Sequence, residues 1–311
     1  MQTFISICIP AYKRVNYLKR LLDSIAIQSY KNFEIIISDD SPDDSVKDLT
    51  EEYKNLLPLI YFKNEKSLGT PANWNFGISK AKGEWIKLMH DDDWFSSPKS
   101  LEIFASKTSD GSKFIFSAYT NIFENSNSKE KKMFMPFSWQ KKMVDEPAVL
   151  FAQNVIGPPS VTLIHRSIKE VYDERLKWRV DLEFYMRIIK SEKKFTYIDE
   201  TLISVGVSES QVTQSCIYEP NVELPEGYIL LQKHGTDQLK NILVYDAWWR
   251  LLRNMDIKSK AQLQQYEPHE WPAIILNMVN DLSKVSKNIL KIGVFSKLLM
   301  FASYKRNFSK K

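Results

Sequence analysis

The first hundred residues alternate short apolar runs with amphipathic stretches. Phe4 to Ile9 is a β-branched apolar run ending at Pro10, and Phe33 to Ile37 is a second, stopped by Ser38-Asp39-Asp40-Ser41-Pro42. Leu57 to Phe62 and Trp85 to Met89 read as a third and a fourth strand, the last halted by His90-Asp91-Asp92-Asp93. Between them, Val15 to Ile27 carries Leu18, Leu21, Leu22 and Ile25 at helical spacing, and helices are expected over roughly 43–55 and 72–81. Runs apolar on both faces and separated by helices predict an α/β domain, a doubly wound and mostly parallel sheet covered on both sides. Glu124 to Lys132, rich in Ser and Lys, reads as a loop, and a further apolar and helical region runs to about residue 213. Glu219 to Gly227, with Pro220 and Pro225, reads as a linker. Beyond it the pattern is helical: Tyr228 to Met255, Trp271 to Leu282, and a last basic stretch.

Composition narrows the class. The 311 residues are 43% hydrophobic and 26% charged, which excludes a disordered or collagen-like chain. Two cysteines, Cys8 and Cys216, exclude a disulfide framework and fit a reducing compartment. No apolar run approaches the ~18 residues of a membrane helix. The N-terminus reads as a strand without a signal peptide, so a cytoplasmic location is expected. Charge is uneven: Lys284 to Lys311 holds eight basic residues and no acid, while the remainder carries more acids than bases. A basic end on a slightly acidic chain suggests a segment with its own role.

Open α/β sheets bind ligands beyond the carboxyl ends of their strands. Pro10-Ala11-Tyr12, Asp39-Asp40 and the Asp91-Asp92-Asp93 triplet all stand at such ends. The side-chain period of two would put Asp91 and Asp93 on one side and Asp92 opposite. Like charges so close call for a cation, and oxygen ligands favour Mg2+ or Mn2+ over zinc. The competing reading is a solvated acidic turn ahead of the helix near Pro98. For Asp39-Asp40 it is an Asx turn before Pro42. An acidic crevice would repel a bare phosphate, so a bound nucleotide diphosphate needs a bridging metal there. No G-x-G-x-x-G and no Walker A sequence occurs, which disfavours a dehydrogenase or a kinase.

Five ordered motifs carry a resemblance: Ile7-Cys8-Ile9-Pro10-Ala11-Tyr12-Lys13-Arg14, Ile37-Ser38-Asp39-Asp40-Ser41, Gly69 through Asn75 and Gly77, Gly83-Glu84-Trp85-Ile86, and His90-Asp91-Asp92-Asp93-Trp94. Over roughly residues 3–213 the chain resembles family 2 glycosyltransferases of the GT-A fold. The resemblance implies that Pro10, Ala11 and Tyr12 line a base and ribose pocket, with Arg14 and Asp39 beside them, and that Asp40 bonds uracil. The family's D-x-D-D appears here with His90 in place of its first acid. Asp93 would hold the metal with Asp91, and Asp91 or Asp92 would touch ribose or donor sugar. Asn75 matches the close of its motif, whereas Trp74 stands where relatives carry a basic residue. In Val180-Asp181-Leu182-Glu183-Phe184-Tyr185-Met186-Arg187, Asp181 matches the general base and Arg187 the motif's Arg, with Val180 replacing an acid. Asp181 and the aromatic pair Phe184–Tyr185 share a helical face, expected to offer a surface to a sugar ring. Trp94, Pro159, Ser160, Glu183 and Arg187 are assigned to the acceptor side. The late His of many relatives is missing from Val205 to Thr213, where Glu209 could complete a metal site.

The expected domains are 1–215, a catalytic GT-A domain (1–105 nucleotide-sugar half, 106–215 acceptor half), and 216–311, a helical extension with a basic amphipathic end. The expected activity is inverting, metal-assisted transfer of a hexose-type sugar from a nucleotide sugar, UDP-linked, to a saccharide or lipid-linked acceptor in cell-envelope glycan synthesis. Peripheral contact with the inner face of a membrane through the basic C-terminus is expected, and no nucleic acid partner. The rivals are a sugar-nucleotide-binding protein impaired in catalysis, acting through its helical end, and a nucleotidyltransferase. The latter wants a Gly-rich loop with a basic residue after the first strand, which Pro10-Ala11-Tyr12 is not.

Overall fold

The computed structural model describes residues 2–124, 129–208 and 216–308. They divide into two units: Met1–Val144 with Val155–Glu209, and Asp145–Asn154 with Ser210–Lys311.

In the first unit, β1 (Ile5–Ala11), β2 (Phe33–Asp39), β3 (Leu59–Lys63) and β4 (Trp85–Leu88) alternate with α1 (Val15–Ala26), α2 (Ser45–Tyr53) and α3 (Ala72–Ser79). Ile5, Ile7, Ile9, Ile35, Ile36 and Ile37 are all fully buried, as strands covered on both faces require. These four strands are parallel, in the order β3-β2-β1-β4. The chain continues through β5 (Asp93–Phe95), α4 (Ser100–Ser106), β6 (Phe114–Phe123), β7 (Lys129–Met133), α5 (Ser138–Asp145), β8 (Thr162–His165), α6 (Val180–Glu192) and β9 (Thr196–Val207). They extend the sheet as β4-β8-β6-β9-β5, with β7 on the side of β6. Here β6–β9 is parallel and the β4–β8, β6–β8, β6–β7 and β5–β9 pairs are antiparallel. The sheet is therefore parallel in its first half and mixed in its second. Strand order reverses between β1 and β4, which puts Pro10–Arg14 and His90–Asp93 at the switch point where such sheets take ligands.

Two expectations are corrected. Part of the expected loop Glu124 to Lys132 is strand β7, paired in register with Tyr119–Phe123. The expected linker Glu219 to Gly227 begins a helix, α7 (Pro220–His234). Pro220 occupies its first turn, where a missing N–H costs nothing, and the Glu219 carboxylate caps Asn221 N. The second unit continues with α8 (Ile242–Asn254), α9 (Lys260–Tyr266), α10 (Ala273–Ser283), α11 (Lys287–Lys291) and α12 (Gly293–Phe308). Trp248 and Trp249 are each 1% exposed, and Phe151 stacks on Trp248 at 5.0 Å, so these aromatics form that unit's core. Among the described residues no helix is long and apolar enough to cross a membrane.

Candidate active site

Strand β4 stops at Leu88 and β5 starts at Asp93, so Asp91 and Asp92 lie in a turn and the expected alternation fails. Both reach the same guanidinium: Arg14 Nε donates to Asp91 Oδ2 (3.2 Å), its Nη2 to Asp91 Oδ1, and its Nη1 to Asp92 Oδ2 (3.0 Å). Asp93 turns inward, 2% exposed, and receives hydrogen bonds from the Ser160 hydroxyl and the Gly206 N–H. Ser160 Oγ in turn accepts from His90 N at 2.9 Å. The His90 ring packs against Trp74 at 4.7 Å, and its buried Nε2 has no hydrogen-bond partner among the described residues.

His90, Asp92 and Asp93 each bring one ligand atom into a group spanning no more than 4.8 Å. An orphaned imidazole nitrogen beside two buried carboxylates fits a divalent cation of the Mn2+ type. Of the expected pair Asp91 and Asp93, the group that could hold a metal includes Asp93 with His90 and Asp92, while both oxygens of Asp91 are engaged by Arg14. Electrostatics fit a cation as well. Burial, with Asp92 adding repulsion, pushes the Asp93 carboxyl well above its usual range. Burial also raises Asp91 to about 7 against the pull of Arg14, and lowers His90 to about 4 against that of Asp92. Glu209, the expected completing ligand, lies outside the described residues.

The other expected donor residues divide into two groups. Pro10 and Ala11 end β1, and Tyr12 beyond them is 49% exposed at the crevice. Asp40 is held from four sides, by Asn64 Nδ2 (2.7 Å), Ser67 Oγ (3.3 Å) and the N–H groups of Leu68 (3.1 Å) and Gly69 (2.8 Å). Its carboxylate is thus fixed at the end of β2. Asp39 is fully buried, bonded by Tyr61 Oη (2.7 Å) and Lys63 Nζ (3.1 Å), and accepts from Ser41 N in the turn after β2. Asn75 is engaged as well. Its amide bonds the Tyr172 backbone twice, at 2.8 and 3.0 Å, and so ties α3 to that segment.

On the acceptor side, Pro159 and Ser160 are buried beneath the Asp triplet, and Trp94 lies under the Arg20 guanidinium at 3.7 Å. Glu183 is corrected: fully buried, it grips Arg187 at 2.8 and 3.0 Å, and Arg187 also donates to Val171 O. The pair braces α6. Phe184 and Tyr185 are buried too, Phe184 stacked on Tyr172 at 4.0 Å, so they are core rather than a sugar platform. Asp181 stands half-buried in the first turn of α6, its Oδ1 accepting from Leu182 N. Its charge acts on Tyr119, whose hydroxyl burial pushes up to about 12, with Asp181 and then Asp93 adding to the shift.

Sequence reasoning missed Tyr119, Arg20 and Lys87. Arg20 Nη2 holds the Asp92 carbonyl at 2.9 Å. Lys87 is fully buried, and its Nζ donates to the carbonyls of Ser160 and Thr162 (3.1 Å). A lysine inside the apolar run Trp85 to Met89 was the available signal.

Residues 6–172 match the sequence profile of glycosyl transferase family 2 over more than half of the chain. The chain belongs to glycosyltransferase family 2. Among relatives of this glycosyltransferase, an uncharacterised glycosyltransferase of Rickettsia felis is 37% identical over 266 residues, covering 83% of this chain and 43% of its own length. An uncharacterised glycosyltransferase of Methanocaldococcus jannaschii is 30% identical over 196 residues, 61% of this chain and 66% of its own length. The chain thus spans less than two thirds of the length of either relative. In fold it is similar to S. aureus TarS 1-349 in complex with UDP-GlcNAc, with TM-score 0.57 and 15% identity over 98% of this chain and 92% of that one. It is also similar to a mannosyltransferase from Pyrobaculum calidifontis in complex with GDP-Man and Mn2+, with TM-score 0.58 and 12% identity over 100% and 89%. These likenesses establish the GT-A architecture with a C-terminal helical region.

Proposed function

We propose that this glycosyltransferase transfers a hexose from a UDP-sugar to a saccharide or lipid-linked saccharide, with inversion at the anomeric carbon, in cell-envelope glycan synthesis. The observation that carries the reading is that Tyr119, a half-buried phenol, feels the charges of both Asp181 and Asp93. A half-buried carboxylate and the buried acidic cluster thus both act on one side chain, which supports one as the base and the other as the leaving-group end of a displacement. TarS with UDP-GlcNAc supports the choice of a UDP-sugar.

In this reading Asp40 takes the uracil, and Pro10, Ala11 and Tyr12 flank base and ribose. Asp93, Asp92 and His90 would hold a divalent cation, which when bound supplies Lewis-acid stabilisation of the departing diphosphate. Ser160 and the Gly206 N–H orient Asp93 for that role. Arg14 pairs with both Asp91 and Asp92, so it helps to fix the turn on which the cluster stands. Asp181 accepts the proton of the acceptor hydroxyl, a contribution of typically about 10²–10⁴-fold. One base and one displacement give inversion: an α-linked donor yields a β-linked product. The protein works at the inner face of the membrane, in peripheral contact through its basic C-terminus.

Calorimetric titration of UDP, GDP and dTDP with and without Mn2+ tests the donor site. Binding of UDP that requires Mn2+ and is lost in Asp93→Ala is expected; equal binding in the variant overturns the site. Asp181→Asn should bind UDP as wild type does yet lose turnover by at least about a hundredfold. Near-normal turnover of that variant removes Asp181 as the base.

A further inference from the structure

The helical unit contains a cavity of about 480 Å3 lined by Tyr218, Arg253, Asp256, Lys287, Leu290 and Lys291. Its cations exceed its anions. Asp256 is shared by Lys287 (3.2 Å) and Lys258 (3.9 Å), and nearby Asp246 by Lys297 (3.0 Å) and Arg250 (3.3 Å). Arg253 makes no ion pair among the described residues: its guanidinium bonds only Asn254 Oδ1 (3.1 and 2.9 Å) and Ser296 Oγ (3.0 Å). Lys291 has no partner among them either. Partial burial and the neighbouring Arg250 lower the pKa of Arg253, a strain that an anion in the cavity would relieve.

The cavity wall α11 leads at once into α12, which has two unlike faces. Ser296, Met300 and Ser303 are buried against the rest of the unit, Ser296 bonding Trp249 and Ser303 bonding Tyr245. The opposite line, spaced as i, i+4, i+7, is Val294, Leu298 and Phe301, at 71%, 61% and 49% exposure, with Phe295 and Ile292 also half exposed. Lys297 and Lys305 border it. Residues 284–308 contain six basic residues and no acid.

We propose that α11 and the outer face of α12 seat on an anionic lipid bilayer, the headgroup phosphate entering the cavity between Arg253, Lys287 and Lys291. This deepens the peripheral contact of the proposed function and rests on it. An apolar line edged by lysines lies in the plane of a bilayer, with cations at the headgroups and apolar side chains among the upper acyl chains. Charge complementarity selects the lipid: a second copy of this surface would set lysine against lysine, and a nucleic acid would leave Leu298 and Phe301 in water.

The test is co-sedimentation of the full chain with phosphatidylcholine vesicles, with and without phosphatidylglycerol. Wild type should bind the anionic vesicles alone and be released by salt. Leu298→Glu with Phe301→Glu, and separately Lys291→Glu, should each reduce binding at least tenfold. All three positions are exposed and Lys291 lacks a partner, so folding is not at stake in that variant. Millimolar inorganic phosphate should leave wild type on the vesicles, because the apolar line stays inserted. Full displacement by phosphate would mean that the cavity serves a soluble anion, and would overturn the lipid assignment. Indifference of wild type to phosphatidylglycerol, or undiminished binding of Lys291→Glu, would overturn it as well. Calorimetric UDP binding on the same preparations separates the two readings: vesicle binding can fail while the donor site stands.

Discussion

Lys87 shows how the site's floor is held. It is a buried amine whose pKa burial drives well below its ordinary value, with the Asp93 charge only partly opposing. Between its lowered native pKa and about pH 10.4, the native chain therefore holds this proton less than the unfolded chain does. The unfolded state binds more protons across that interval, so this residue makes stability rise with pH until the unfolded lysine titrates. Lys87→Met removes the slope. Urea midpoints from about pH 7 to about pH 9 should show wild type gaining on the variant by up to ~1.4 kcal/mol per pH unit. Parallel curves would mean that Lys87 stays charged in the native state. The donor-side acids were legible because they follow apolar runs, where a strand finishes at the sheet's ligand edge, whereas Asp181 was legible only through its motif. Their partners were not: Arg14 meets Asp91 across 77 residues, and Lys87 meets Ser160 across 73. Such pairs are made by the sheet's register, and no local pattern announces them. His90 read as a departure from the family's acidic motif for the same reason, since its ring meets Asp92 and Asp93 only once the chain turns between β4 and β5.

Among the elements, β1, β2 and β4 were legible as continuous apolar runs because parallel strands are covered on both faces. Strand β7 was not, because Lys129–Met133 is mostly exposed and pairs with β6 alone, so it needs no apolar side. Helix α7 was hidden by its prolines; Leu224, Leu230 and Leu231, all buried, outweigh the single interior hydrogen bond that Pro225 forgoes. Close packing between elements gives a matched pair of tests. A Cβ on Gly206 of β9 would come within 2.6 Å of the Asp92 carbonyl, the same carbonyl that Arg20 holds. Gly206→Ala must push the β4–β5 turn away, at about 1–3 kcal/mol, and Mn2+-dependent UDP binding should weaken at least tenfold. A Cβ on Gly227 of α7 would come within 2.8 Å of the Trp248 ring. Gly227→Ala should cost about as much stability and leave UDP affinity unchanged. Equal loss of UDP affinity in both variants would mean that instability alone weakens binding.

For the whole molecule, the donor site and the basic end place opposite charge in different units, and the donor site carries a burden that a cation relieves. Asp93 is buried beside Asp92 with its carboxyl pushed well above the usual range, so without a bound cation the cluster works against the native state. A ligand that binds only the folded chain adds RT ln(1 + [L]/Kd), about 2.7 kcal/mol at a hundredfold excess over Kd. In a domain of this size that shifts the melting temperature by roughly 5–10 °C. Mn2+ with UDP should give that full shift in wild type, and UDP alone little of it. Asp93→Asn should behave in the opposite sense twice over. Without ligand it should melt no lower than wild type, because an uncompensated buried charge is gone while the hydrogen bonds of Ser160 and Gly206 to the side chain can persist. With Mn2+ and UDP its shift should vanish. Lys291→Glu, far along the chain in the helical unit, should keep the shift whole. A variant that is at least as stable empty and unresponsive when loaded would identify Asp93 as a residue kept for binding at the expense of stability; a retained shift would assign the metal-dependent binding to other groups.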